Sequence, residues 1–303
     1  MSWARKILEE CLRVEEDERL LVLTDPEMEE LAREVFEAAD CDRSLMVVEP
    51  RERHGEEPPG PAAAAMREAD AVVALTSWSI THTRARKEAC EAGARVASMP
   101  GATRGMLERA VDVDYGRLRR RARELSELLT EASEAELVTG DGARLYLDLS
   151  DRDGIPDDGD LREPGAFGNL PAGEAFVAPI EDSAEGELVI DGSVAPDGLL
   201  DEPVRLEVSG GRVVDASGPD DLEFLRLIEE AEGGDVVCEL GIGVNPGAKL
   251  RGNPLEDEKA LGTVHVGFGD NSTFGGENES EVHLDAVITD FELYLDGEKV
   301  APP

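Results

Sequence analysis

Residues 236–288 read VVCELGIGVNPGAKLRGNPLEDEKALGTVHVGFGDNSTFGGENESEVHLDAVI, and the chain is organised around this stretch. It carries two of the four histidines, His265 and His283, each inside a short β-branched run of the kind that forms buried strands. Glu239, Glu258 and Asp285 lie around them. Glycines at 241, 243 and 247, then at 275 and 276, are expected to let the backbone turn sharply between short strands. His283 and Asp285, two apart, project from the same face of one strand and can reach a common ion. Glu239, at a strand end, can face into the same pocket. Neutral imidazoles converging with ionised carboxylates are what a zinc, cobalt, manganese or iron ion needs.

Charge sets the next constraint. Asp and Glu number 69 against 30 Lys plus Arg, a formal net charge of −39 spread over the whole 303 residues. Self-repulsion on that scale opposes folding in dilute buffer, whereas molar salt shortens the Debye length to about 3 Å and screens it. A hydrophobic share of 41% in periodic segments argues against disorder. The expectation is therefore a folded, halophilic protein of a cytoplasm with molar potassium. Such a surface repels nucleic acid and anionic membranes, so neither is expected as a partner. Cys11, Cys41, Cys90 and Cys238 show no metal or disulfide spacing and read as small buried hydrophobes. No apolar run approaches a membrane span, and the first twenty residues lack a signal peptide's apolar core.

Taken in order, the chain alternates helices and buried-strand runs. Strands are expected at Leu20–Leu23, Ser44–Val48, Ala71–Leu75 and Arg95–Ser98, with helices between them. That alternation predicts an α/β open parallel-sheet domain, Rossmann-like, over residues 1–134. No GxGxxG follows the first strand, so a dinucleotide site has no support. Trp78 and His82 fall just past the third strand, where such sheets open to ligands, although a helix cap beside a partly buried His82 is the plainer reading. A helix over 115–132 carries Arg117, Arg119, Arg120, Arg121 and Arg123, read as a solvated face paired with nearby glutamates. Beyond it the period changes to two, which predicts a β-rich α+β metal-binding domain over residues 135–303. Residues 151–160 are acidic but lack the EF-hand spacing and its closing glutamate, so they are not expected to bind calcium.

Pro171 and Gly173 make a tight entry into an apolar strand and fix the direction of Glu174. With NLPAGEAFVAP (169–179), CELGIGVNPGA (238–248), LEDEKALGTVHVGFGDN (255–271) and VHLD (282–285) all in view, the chain resembles the aminopeptidase T and aminopeptidase S family of metallopeptidases. The resemblance implies a two-metal site whose ligands map onto Glu174, Glu239, His265, His283 and Asp285. It also implies a homodimer that releases N-terminal residues from a peptide substrate. Crowded carboxylates repel one another, and two divalent ions, zinc or cobalt with manganese or iron as alternatives, would relieve that repulsion. A metal-bound water, its pKa lowered to about 7, would then attack the scissile carbonyl, with Glu258 as candidate general base. Lys249 and Lys259 read as ion-pair partners of nearby acids.

One departure stands out. Peptidases of that family carry a tyrosine a few residues after the first metal histidine, where this chain runs Val266 to Phe274 with none. A rival reading comes from the same superfamily: the chain also resembles dihydroxypyridine ring-opening dioxygenases, which implies one ferrous ion on a triad of His265, His283 and Asp285. A third reading is a metal-stabilised protein that binds a small ligand without turnover.

Overall fold

The computed structural model describes residues 2–300 except 82 and 220, so the expectation for His82 lies outside the described residues. The chain resolves into two compact units interleaved in sequence: residues 1–115 with 159–172, and residues 116–158 with 173–303.

The first unit is an α/β layer. Its five strands run, side by side, Asp42–Val47, Arg19–Thr24, Ala71–Leu75, Arg95–Ser98 and Phe167–Asn169, every pair parallel. Leu20 to Leu23 and Ala71 to Leu75 are buried throughout, as expected of strands covered on both faces. Helices Glu29–Ala38, Gly60–Glu68 and Arg84–Glu91 supply the crossovers. Past the third strand, Trp78 packs into the apolar core instead of facing a ligand cleft.

The second unit holds two seven-stranded sheets in which every neighbouring pair is antiparallel. One sheet shows the one-sided burial that a period of two predicts: Ala143, Leu145 and Leu147 are buried, while Arg144, Tyr146 and Asp148 face outward. The other sheet runs Gly198–Leu199, Ser193–Val194, His283–Ile288, Val264–Gly269, Val237–Gly243, Glu174–Val177 and Ile155–Asp157. Its two central strands are buried along their whole length. The helix Glu223–Glu230 buries Phe224, whose ring meets Phe268 edge-on at 5.7 Å.

Gly241 and Gly243 are not turns. Both lie within the Val237–Gly243 strand, because the space a side chain would fill is already taken. A Cβ on Gly241 would come within 2.0 Å of His265 Nε2, and one on Gly243 within 2.1 Å of the Ala260 carbonyl oxygen. No helix among the described residues is long and apolar enough to cross a membrane.

Candidate metal centre

The register of the four strands carrying the candidate ligands puts them on one face. Asp285 pairs with Gly267, which pairs with Glu239. In the next rows His265 pairs with Gly241, which pairs with Phe176, and Gly243 pairs with Glu174, which pairs with Asp157. Residues opposite one another in an antiparallel sheet share a face, and alternate residues along a strand return to it. The strands therefore contribute through short period-two motifs: Glu174-x-Phe176, Glu239-x-Gly241-x-Gly243, His265-x-Gly267-x-Gly269 and His283-x-Asp285. Gly241 and Gly267 are the floor on which the His265 ring and the Glu239 side chain lie.

Glu239 sits between the two imidazoles. Its Oε1 is 3.2 Å from His265 Nε2 and its Oε2 is 3.4 Å from His283 Nε2. Asp285 Oδ1 lies 3.4 Å from His283 Nε2, and Glu174 Oε2 lies 3.5 Å from His265 Nε2. One ligand atom each from Glu239, His283 and Asp285 fall within 4.8 Å of one another, close enough to hold a single ion. All five ligands suggested by the resemblance are thus brought together.

The donor set fits a divalent metal on two further observations. His283 Nδ1 donates to the Asp270 carbonyl at 2.8 Å, which fixes the ring and aims Nε2 into the cluster. Glu174 Oε2 and Asp285 Oδ1 are buried and receive no well-aligned hydrogen bond. Anionic oxygens in that condition are stabilised by a nearby cation, a metal ion or a protonated imidazole.

Lys259 stands beside Glu174, and Glu258 reaches both Lys259 and Asp285. Lys259, 1% exposed, donates to Glu174 Oε1 at 2.8 Å, pairs with Glu258 and lies 3.5 Å from Asp157 Oδ2. Ion pairing with neighbouring acids is therefore its role, and one of the cations that the crowded carboxylates demand comes from the chain itself. Asp157, which composition hides among many acidic loop residues, was not anticipated at the site. Only its register opposite Glu174 reveals it.

Protonation follows from this crowding. Burial alone would push the His265 imidazole down, but the hydrogen bond to Glu239 and the charges of Glu174 and Asp285 outweigh it and lift it to about 9. His283 is likewise held well above its ordinary value, against burial, chiefly by Cys238 and Asp285. Burial pushes Asp285 and Glu239 up, yet the histidines more than reverse this and both end below the usual carboxylate range. Burial dominates at Glu258, which keeps its proton far above the usual range despite Lys259. Burial also lifts Asp157 to about 7. Without a metal, protons on the imidazoles supply the charge that an ion would bring.

An open α/β unit and an antiparallel unit bearing a histidine–carboxylate cluster that could hold a metal ion give the chain an aminopeptidase T-like fold. Residues 1–302 match the family model described as NicX: 2,5-dihydroxypyridine 5,6-dioxygenase, and the chain belongs to that family. It is 26% identical over 197 residues to the 2,5-dihydroxypyridine 5,6-dioxygenase of Pseudomonas putida KT2440, an alignment covering 60% of this chain and 56% of that relative. The structure of 2,5-dihydroxypyridine dioxygenase from the same organism superposes with a TM-score of 0.84 at 21% identity, covering 99% of this chain and 97% of the other. Wild-type AmpT from Thermus thermophilus superposes with a TM-score of 0.68 at 20% identity, covering 99% of both chains.

These findings correct the expected activity. The family is that of a dioxygenase, so the expectation of a hydrolase, an aminopeptidase acting as a protease on peptides, is overturned. The likeness to AmpT at such low identity is one of fold. Blocks such as CELGIGVNPGA misled because they carry the strand and glycines of the cluster-bearing face, and one fold can serve both chemistries.

Proposed function

We propose that the protein opens a dihydroxylated pyridine ring with dioxygen at a single ferrous ion held by His265, His283 and Asp285. The observation that carries this reading is that His265, His283 and Asp285 meet in one cluster, both imidazole Nε2 atoms facing Glu239 between them and Asp285 Oδ1 lying 3.4 Å from His283 Nε2. Two histidines and one carboxylate are the donor set of non-haem ferrous oxygenases. Family membership along the full chain supports the substrate class. Bound ferrous iron supplies the redox chemistry that joins dioxygen to the ring.

The chain's own residues then divide the remaining work. The Asp270 carbonyl holds the His283 tautomer, and Glu239 keeps the two imidazoles facing each other. Lys259 holds Glu174 in place. Glu258, cast at first as the base for an attacking water, is instead a part-buried carboxyl inclined to keep its proton, suited to holding or returning a proton at a ring oxygen. Both oxygen atoms enter the ring-opened product, so no external reductant is consumed.

The test is anaerobic loading with ferrous iron in high salt, followed by addition of 2,5-dihydroxypyridine and dioxygen. The expected result is one iron per chain and equimolar loss of dioxygen and ring absorbance. Iron-loaded protein that consumes no dioxygen with this ring, or a centre that holds two ions per chain when active, would sink the proposal.

A further inference from the structure

The connection between the two histidine strands is built to hold one side chain. Asn271 is fully buried, and its Nδ2 donates to Glu181 Oε1 at 3.1 Å while its Oδ1 accepts from the Asn278 amide at 2.9 Å. Asn278 Nδ2 in turn donates to the carbonyls of Gly233 and Gly269 at 2.9 and 2.7 Å. Glu181 also accepts from the Glu277 amide at 2.6 Å and pairs with Arg152 at 2.7 Å. A Cβ on Gly276 would lie 1.9 Å from Asn271 Cγ, so the chain can close this tightly only with glycine there. A connection pinned at so many points is not a loose loop.

What it presents is Phe274. That ring stands edge-on to His283, with centroids 5.7 Å apart, and edge-on to Phe176, with centroids 5.5 Å apart. Phe176 lies on the cluster-bearing face, in the same row as Gly241 and His265. Both phenylalanines are half-buried, and the His283 side chain beside them is 24% exposed, whereas His265 is fully buried. The accessible side of the centre is thus His283 with Phe274 against it and Phe176 against Phe274 in turn, two rings that carry no hydroxyl.

Resting on the dioxygenase reading, we infer that Phe274 and Phe176 form the ring-recognition wall of the site and select a planar heteroaromatic substrate. A flat ring gains from offset or edge-to-face contact with both phenylalanines, and its hydroxyls are then left to the polar side of the cluster. A flexible aliphatic or peptide chain gains little from the same wall.

The inference is tested without turnover, on zinc-loaded protein, by equilibrium dialysis of 2,5-dihydroxypyridine and, separately, of acetohydroxamate, a metal chelator with no ring. Phe274→Leu and Phe176→Leu should each weaken the pyridine about tenfold, Phe274→Tyr should stay within about twofold of wild type, and acetohydroxamate should bind all four proteins alike. Pyridine affinity unchanged in both leucine variants would overturn the inference, as would failure of wild type to bind the ring. Parallel loss of acetohydroxamate or of zinc would assign the phenylalanines a packing role and overturn it equally. Because no oxygen chemistry is involved, absent dioxygen uptake would count against the dioxygenase reading alone.

Discussion

At Gly241 a missing side chain defines the site. The His265 ring occupies the place where a Cβ would stand, 2.0 Å from Nε2, and the neighbouring strand's backbone cannot retreat without breaking its ladder. Gly241→Ala should therefore displace the imidazole, cost about 1–3 kcal/mol in urea unfolding through overpacking, and lower iron content well below that of wild type. Iron content equal to wild type in a folded Gly241→Ala protein would show that His265 is not a ligand. Sequence reading found the candidate ligands but assigned Gly241 and Gly243 to turns. Glycine's freedom at positive φ and its lack of volume leave the same letter in the sequence, and only strand register tells which is used.

Among elements, the candidate site is built on a set of four adjacent strands. His283-x-Asp285 was legible as a same-face pair because it needs one strand only. The alignment of Glu239, Gly267 and Asp285 in one row was not, since it depends on pairings across nearly fifty residues and on a register shift between Val237 and Glu239. Asp157 went unseen for the same reason. The pairing has a consequence for pH. In metal-free protein, burial opposes the charge on His265, but Glu239, Glu174 and Asp285 raise its folded-state pKa from an ordinary 6.5 to about 9. A raised pKa means the protonated imidazole contributes stability that is fully present below about pH 6.5 and lost as pH rises through about 9. Metal-free protein should accordingly lose on the order of 1–3 kcal/mol across that window in urea titrations at fixed salt. Ferrous affinity should rise over the same window, because each imidazole must shed a proton to bind. A metal-free stability that is flat or rising between these pH values would remove the charged cluster as its cause.

For the whole molecule, composition was informative about charge and nearly silent about chain path. The Phe167–Asn169 strand is only three residues long and contains Gly168, so nothing in its pattern announces that residues 159–172 return to extend the parallel sheet beside Arg95–Ser98. The charge excess, by contrast, has visible structural terms. Arg104 serves both Glu30 and Glu34, Arg205 serves Asp141 and Glu187, and Arg5 serves Glu9 and Asp40. With 30 basic residues against 69 acidic ones, sharing of this kind still leaves a large uncompensated negative surface. Exposed pairs contribute little singly, whereas repulsion summed over the surface is long-ranged and falls steeply once the Debye length drops from about 8 Å to about 3 Å. Thermal unfolding should therefore shift upward by roughly 10 °C or more between physiological and molar KCl. Because the mechanism is screening, choline chloride at equal ionic strength should reproduce most of the shift. A melting temperature indifferent to KCl would remove the inference of salt adaptation, and a shift seen with potassium but absent with choline would point to specific cation sites instead of screening.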